Sequence, residues 1–212
     1  MPGRVITVAP QKGGSGKATI AANLAVAYLR QGLSVALLDT DPQGSLGRWF
    51  MARRALGRAE GLEFSTSSAW GVSYECEKLR KTADVVLIDT PPKVDADLRP
   101  ALREADVVLV PVASSHVDLW ATDGVLDLAR REGRRAVIVM NRMRSGTRLS
   151  ADVAAAAGAL AADLADSTLG NRTVYAETLG QGLGVQESGR RGSADAEIEA
   201  LAREVQDGFA AD

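Results

Sequence analysis

Two lysines frame a run of small residues near the start of the chain, where Lys12-Gly13-Gly14-Ser15-Gly16-Lys17 follows an apolar stretch and opens into a helical pattern. Glycines at 13, 14 and 16 permit a tight turn that aims successive backbone N–H groups at one point. The N-terminus of the following helix adds partial positive charge, and Lys17 adds a full one. This is phosphate-binding chemistry, and the ligand it suits is a nucleoside triphosphate. The general phosphate-loop pattern begins with a glycine and places Ser or Thr directly after its lysine. This chain has Gln11 and Ala18 at those positions, with Thr19 next.

Two further stretches supply carboxylates. LLDTDPQGS carries Asp39 and Asp41 off the end of an apolar run, and VVLIDTPP ends another in Asp89, as a Walker B aspartate does. Beside a triphosphate such groups serve Mg2+ and water. One holds a metal-bound water while another orients the water that attacks the γ-phosphate, because positioning supplies most of the catalysis in phosphoryl transfer. A single Asp after a strand is more often a turn residue; three at one sheet edge beside a phosphate loop favour the metal and water reading.

These groups need a scaffold that brings them together. Apolar β-type runs recur at 5–9, 34–38, 84–88, 106–110 and 136–140, with a weaker one at 62–65, and segments of helical spacing separate them. The alternation predicts an α/β fold with a doubly wound, mostly parallel sheet and helices on both faces, in one domain spanning residues 1–212. Ligands of such sheets bind outside the carboxyl ends of the strands. Ile20, Leu24, Ala27 and Tyr28 predict a helix from Lys17 to Gln31, stopped near Gly32. Alanine-rich 150–165 predicts another helix, and a last one near Ser193 presents Ile198, Leu201, Val205 and Phe209 on one stripe. His116 is expected in a loop.

KGGSGK, DTDPQGS and LIDTPP, in this order and spacing, resemble the ParA family of partition ATPases. Lys12 resembles the signature lysine of the deviant Walker A ATPases, which include MinD and the nitrogenase iron protein. The likeness continues through LVPVASSHVDLWA and NRTVYAETLGQGLGVQES and covers nearly the whole chain, most like the small ParF-like branch. The resemblance implies a P-loop NTPase fold, ATP and Mg2+ as ligands, and a homodimer that sandwiches ATP. It also implies non-specific DNA binding, and hydrolysis stimulated by a ParB- or ParG-like or other cargo adaptor.

Residue by residue, the resemblance implies that Lys12 reaches the partner subunit's phosphates and takes part in catalysis, whereas Lys17 holds phosphates within its own subunit. Gly13, Gly14, Ser15, Gly16, Ala18 and Thr19 complete the nucleotide loop. Asp41 places the attacking water, Asp39 and Asp89 serve the magnesium shell through water, and Asn141 and Arg142 contact adenine. Arg172 contacts DNA, with Arg190, Arg191, Arg144 and Arg148 widening the patch. The family's usual Ser or Thr at position 18 binds magnesium through its hydroxyl; a water in place of that group at Ala18 predicts weaker, slower chemistry rather than none.

Composition narrows the alternatives. A formal net charge of −2 gives no overall pull towards nucleic acid, so DNA binding requires a local patch or two subunits side by side. The single cysteine, Cys76, excludes a nitrogenase-type cluster that takes two thiolates from each subunit. The acidic tail EIEALAREVQDGFAAD lacks the basic face of a membrane-surface helix, so MinD-like membrane cycling is disfavoured. No secretory signal is expected, which predicts a cytoplasmic protein, nucleoid-associated when ATP-bound. The cargo implied is a plasmid, a chromosome region or a protein cluster. The alternatives are an ATP-dependent dimerisation switch with vestigial hydrolysis and a MinD-like positioning ATPase.

Overall fold

Val, Ile and Leu dominate the short apolar runs, and each run forms a strand too short to bury itself without covering on both faces. In the computed structural model, which describes residues 2–9, 12–92, 96–189 and 192–210, the strands are β1 (Arg4–Val8), β2 (Val35–Asp39), β3 (Leu62–Thr66), β4 (Val85–Asp89), β5 (Val107–Ala113), β6 (Ala136–Asn141) and β7 (Asp163–Leu164). They form one sheet in the order β3-β2-β4-β1-β5-β6-β7, with every ladder parallel. All residues of β2 and β4 are buried, as strands covered on both faces require.

The helices are α1 (Lys17–Arg30), α2 (Ser45–Ala55), α3 (Val72–Leu79), α4 (Arg99–Glu104), α5 (His116–Trp120), α6 (Asp123–Arg131), α7 (Arg148–Ala157), α8 (Thr173–Gly180) and α9 (Ser193–Ala210). Alternate strand residues sort them into two layers. Ile6, Val8, Leu37, Leu87 and Leu109 pack with α1, α2, α8 and α9 through Leu24, Trp49, Tyr175, Ile198 and Leu201. Val5, Ala36, Leu38, Val86 and Ile88 face the opposite layer, where α3 contributes Val72, Cys76 and Leu79. Further along that layer Val108 and Val110 meet Leu102 of α4 and Val125 of α6. Helix α1 lies inside its layer and is buried from Ile20 through Tyr28, which explains its alanine content: small side chains let it sit close to the sheet with α9 and α8 packed outside.

Two local expectations change. The alanine-rich helix stops at Ala157, and the chain turns into β7, which pairs Val137 with Asp163 and Ile138 with Leu164. Beyond Val153 the run offers no bulky helical stripe, whereas Leu160, Ala162 and Leu164 pack on the cluster around Ile138, so tertiary packing overrides alanine's helix propensity. His116 lies at the start of α5 and tilts against Trp120, ring centroids 6.2 Å apart. The last helix begins at Ser193 and buries Ile198, Leu201 and Val205 as expected; the side chain of Phe209 is outside the description.

Candidate functional site

Strand register assembles the site. Asp39 ends β2 and Asp89 ends β4, and the two are directly paired; Asp89 is in turn paired with Val8, the last residue of β1. Two carboxylates and the entry to the glycine loop therefore stand side by side on adjacent strands, roughly one strand spacing of 4.8 Å apart. The loop turns through Gly14 and Gly16 in left-handed conformations, at φ 81° and 89°, and delivers Lys17 to the first turn of α1. That helix has no side-chain N-cap and no acid in its first turn, so its positive end is left uncompensated by its own side chains.

Lys17 is 8% exposed, and its Nζ forms an ion pair with Asp41 Oδ2 at 2.5 Å. Asp41 Oδ1 accepts the Gln43 N–H at 3.0 Å, an Asx-type turn that fixes the carboxylate. Asp39 is held differently, with Oδ1 accepting the Asp41 N–H and Oδ2 the Gly47 N–H, each at 3.0 Å. It thus braces the 41–47 loop that carries Asp41 into α2. Burial raises the Asp39 carboxyl above the ordinary carboxylate range, against the lowering by those two N–H groups.

Asp89 is fully buried, and neither carboxylate oxygen has a hydrogen-bond partner among the described residues. Burial holds its carboxyl well above the ordinary range; the Lys17 charge opposes that shift, and Asp39 and Asp41 add to it. A buried carboxylate with both oxygens unpartnered beside an ammonium fits a hydrated divalent cation, which would supply the missing positive charge. Among the described residues no group of three or more His, Cys, Asp and Glu side chains is arranged to hold a metal, so a cation here would draw on phosphate and water oxygens as well. Ala18 is buried at the edge of the core, while Thr19 faces a neighbouring cavity. Ser15 Oγ is buried inside the loop with no hydrogen-bond partner among the described residues.

That cavity, of about 820 Å³, opens beside the loop and is lined by Gly16, Thr19, Asn141, Arg142 and Arg172, with Trp49, Tyr175 and Leu179 supplying apolar surface. Asn141, the last residue of β6, and Arg142 directly after it thus lie beside the glycine loop. A smaller cavity of about 250 Å³ lies on the loop's other side between Lys12, Gly13, Gly14, Ser15 and Asp118. Lys12 does not join the Lys17 cluster: its side chain is 57% exposed, and its Nζ donates to Asp118 Oδ1 of α5 at 2.7 Å. Val117 and Trp120 stand exposed on the same short helix.

Arg172 is less free than its sequence position suggests. Its Nε and Nη2 reach Glu197 Oε1 at 2.9 and 2.5 Å, and Glu197 Oε2 accepts the Gly170 N–H and the Tyr175 hydroxyl. An open groove of about 860 Å³ lies beyond it, lined by Arg144, Arg148, Asn171 and Arg172. Arg190 and Arg191 lie outside the described residues. Asp118 and Glu197, the partners of Lys12 and Arg172, and Trp49 of the cavity wall carry no local motif that would single them out.

The family model for the ATPase MipZ matches residues 4–129. Maintenance of carboxysome distribution protein A from Halothiobacillus neapolitanus is 29% identical over 209 residues, 94% of this chain and 95% of that protein. The chromosome-partitioning ATPase Soj from Thermus thermophilus is 34% identical over 149 residues, 58% of this chain, and the chain spans 60% of its length. Among solved structures, an ATP complex of Cyanothece McdA superposes with a TM-score of 0.80 at 17% identity, covering 96% of each chain. MinD from Pyrococcus horikoshii complexed with Mg-ADP gives 0.78 at 18% identity over 97% of each. A plasmid partition protein from Borrelia burgdorferi bound to AMPPNP gives 0.77 at 18%, covering 97% of this chain and 99% of that one. At these identities the structures establish the shared fold.

Proposed function

We propose, given that the chain belongs to the MipZ family of ParA- and MinD-type ATPases, that it is a positioning or partition ATPase that dimerises around ATP, binds DNA non-specifically as a dimer and segregates or positions a cargo through partner-stimulated hydrolysis. The cargo class is a plasmid, a chromosome region or a protein cluster, presented by an adaptor. The observation that carries the reading is the meeting of the Lys17 ammonium, the Asp41 carboxylate and the unpartnered Asp89 carboxylate at the mouth of the glycine loop. Magnesium there neutralises charge on the β- and γ-phosphates when bound. The chain's own residues do the rest. Loop N–H groups and Lys17 cradle phosphate, Asp41 orients water once phosphate has drawn Lys17 away from it, and Asp39 keeps the Asp41 loop in place.

Lys12, exposed and held by a surface pair with Asp118, can exchange Asp118 for the phosphates of a second copy. Arg144, Arg148 and Arg172 along one groove support DNA contact. ATP should convert the protein to a dimer in light scattering, and DNA affinity should require ATP and ignore sequence. With about four phosphate contacts, affinity should fall on the order of a hundredfold between about 50 and 200 mM salt. Arg172→Glu should weaken binding most. Arg148→Glu, which disturbs no Glu197 contact, should reproduce part of the loss. Equal affinity without nucleotide, or in both variants, overturns the DNA assignment.

Ala18 favours a second reading, an ATP-dependent dimerisation switch in which turnover is vestigial. Ala18→Thr decides between them. A hydroxyl at the first turn of α1 offers magnesium a direct ligand in place of a water, so ATP affinity measured with magnesium should rise about five- to tenfold and be unchanged without it. Single-turnover hydrolysis should rise in parallel if the chain is a working ATPase. Tighter binding without faster hydrolysis supports the switch.

A further inference from the structure

Asn141 makes a contact that base recognition does not require. Its Nδ2 donates to the Ser15 carbonyl at 2.7 Å, across 126 positions of sequence, and its Oδ1 accepts the Arg142 N–H at 2.8 Å. The residue is 6% exposed. It lies flush on the loop: a Cβ added at Gly16 would come within 2.5 Å of Asn141 Nδ2. Arg142 has φ 54°, the one left-handed non-glycine backbone among the described residues. Such a conformation costs free energy and persists where neighbouring contacts hold it. Here the Asn141 carboxamide holds its N–H, and Ser114 Oγ donates to its carbonyl at 3.4 Å. Arg142 borders both the large cavity and the small one on the Lys12 side, so this strained corner stands between the two halves of the site.

We propose that Asn141 is a positioning residue for the phosphate loop, which ties the large cavity to the shape of the loop. A trans peptide points its C=O and N–H in opposite directions. Holding the Ser15 carbonyl therefore turns the Gly16 N–H away from Asn141 and fixes one donor of the phosphate cradle before any ligand arrives. The second N–H of the same amide remains for an occupant of the cavity. Base and phosphate recognition then share one side chain, and loss of that side chain loosens the phosphate site even for a ligand with no base. This inference rests on the nucleotide-site reading above.

The test uses the full chain and three probes, ATP, inorganic tripolyphosphate and adenosine, with affinities measured by calorimetry. Asn141→Ala should weaken tripolyphosphate about five- to tenfold, the worth of one buried hydrogen bond, and ATP by at least that factor. In the nucleotide-free protein, hydrogen exchange over residues 12–17 should quicken while α9 and the sheet keep their protection. Asn141→Leu, which preserves bulk without hydrogen bonding, serves where the alanine variant does not fold. Loss of ATP and adenosine affinity with tripolyphosphate unchanged makes Asn141 a base contact only and overturns the proposal. Unchanged exchange across the loop overturns it as well. A parent chain that binds neither ATP nor tripolyphosphate defeats the nucleotide reading instead, and the exchange experiment still judges the tie between Asn141 and Ser15.

Discussion

ATP affinity is expected to fall by about a hundredfold or more in Lys17→Ala and to stay within about threefold of the parent in Lys12→Ala. The two lysines flank one short loop but occupy different electrostatic worlds. Lys17 is 8% exposed, paired to Asp41 and close enough to Asp89 to oppose its burial. It is the cation that nucleotide phosphates would meet inside the cradle. Lys12 is 57% exposed on a surface pair with Asp118, and its removal leaves the loop amides and Lys17 where they are. Dimer formation with ATP should be lost in Lys12→Ala all the same, because its proposed contact lies across the interface. Calorimetry and light scattering on both variants give the comparison, and an equal loss of ATP affinity in the two would refute these roles.

Lys17→Ala also strands the buried Asp41 carboxylate, and removing one partner of a buried pair costs about 3–5 kcal/mol. A lower melting temperature is therefore expected alongside the binding defect. The double variant Lys17→Ala/Asp41→Asn removes the stranded charge. It should recover most of the melting temperature but no more than several-fold of the ATP affinity, which separates lost binding from lost folding.

Asp41→Asn should leave ATP bound several-fold more tightly and hydrolysed at least about a hundredfold more slowly. In the nucleotide-free protein Asp41 neutralises Lys17, so phosphate must compete with a carboxylate for the same ammonium at 2.5 Å. Asparagine has nearly the same shape and keeps an oxygen for the Gln43 N–H, but it neither repels phosphate nor accepts a proton from water. Binding and turnover consequently move in opposite directions. Single-turnover phosphate release beside calorimetry reads both, and hydrolysis at the parent rate would remove Asp41 from the chemistry.

The legible part of this protein is its local part. Glycines at 14 and 16 mark a loop because the backbone there adopts left-handed conformations that other residues resist, and that requirement is written into the residue types themselves. The aspartates at 39 and 89 are readable because each ends an apolar run, and parallel strands covered on both faces lack the polar alternation of an exposed sheet. The fold class follows from the same alternation of strand and helix. Reading failed where local preference and tertiary demand disagreed. Alanines from 159 to 162 favour a helix, yet the free edge of β6 and an apolar cluster around Ile138 recruit that segment as a turn and a strand.

By itself, then, the sequence determined the glycine loop, the carboxylates that leave the sheet beside it and the doubly wound architecture, since all depend on stereochemistry and periodicity within a few residues. Only the tertiary structure decided which groups meet. That Asp39 and Asp89 share one register level depends on β4 lying beside both β2 and β1, an order no single run contains. Lys17 pairs with Asp41, Lys12 with Asp118, Arg172 with Glu197, and Asn141 with the Ser15 carbonyl. A charge in a sequence has many candidate partners, and the choice among them is made by strand order and by how α1, α5 and α9 pack on the sheet. The physical reason is one of range: turn and strand preferences act between neighbours along the chain, whereas ion pairs and buried amides act between neighbours in space.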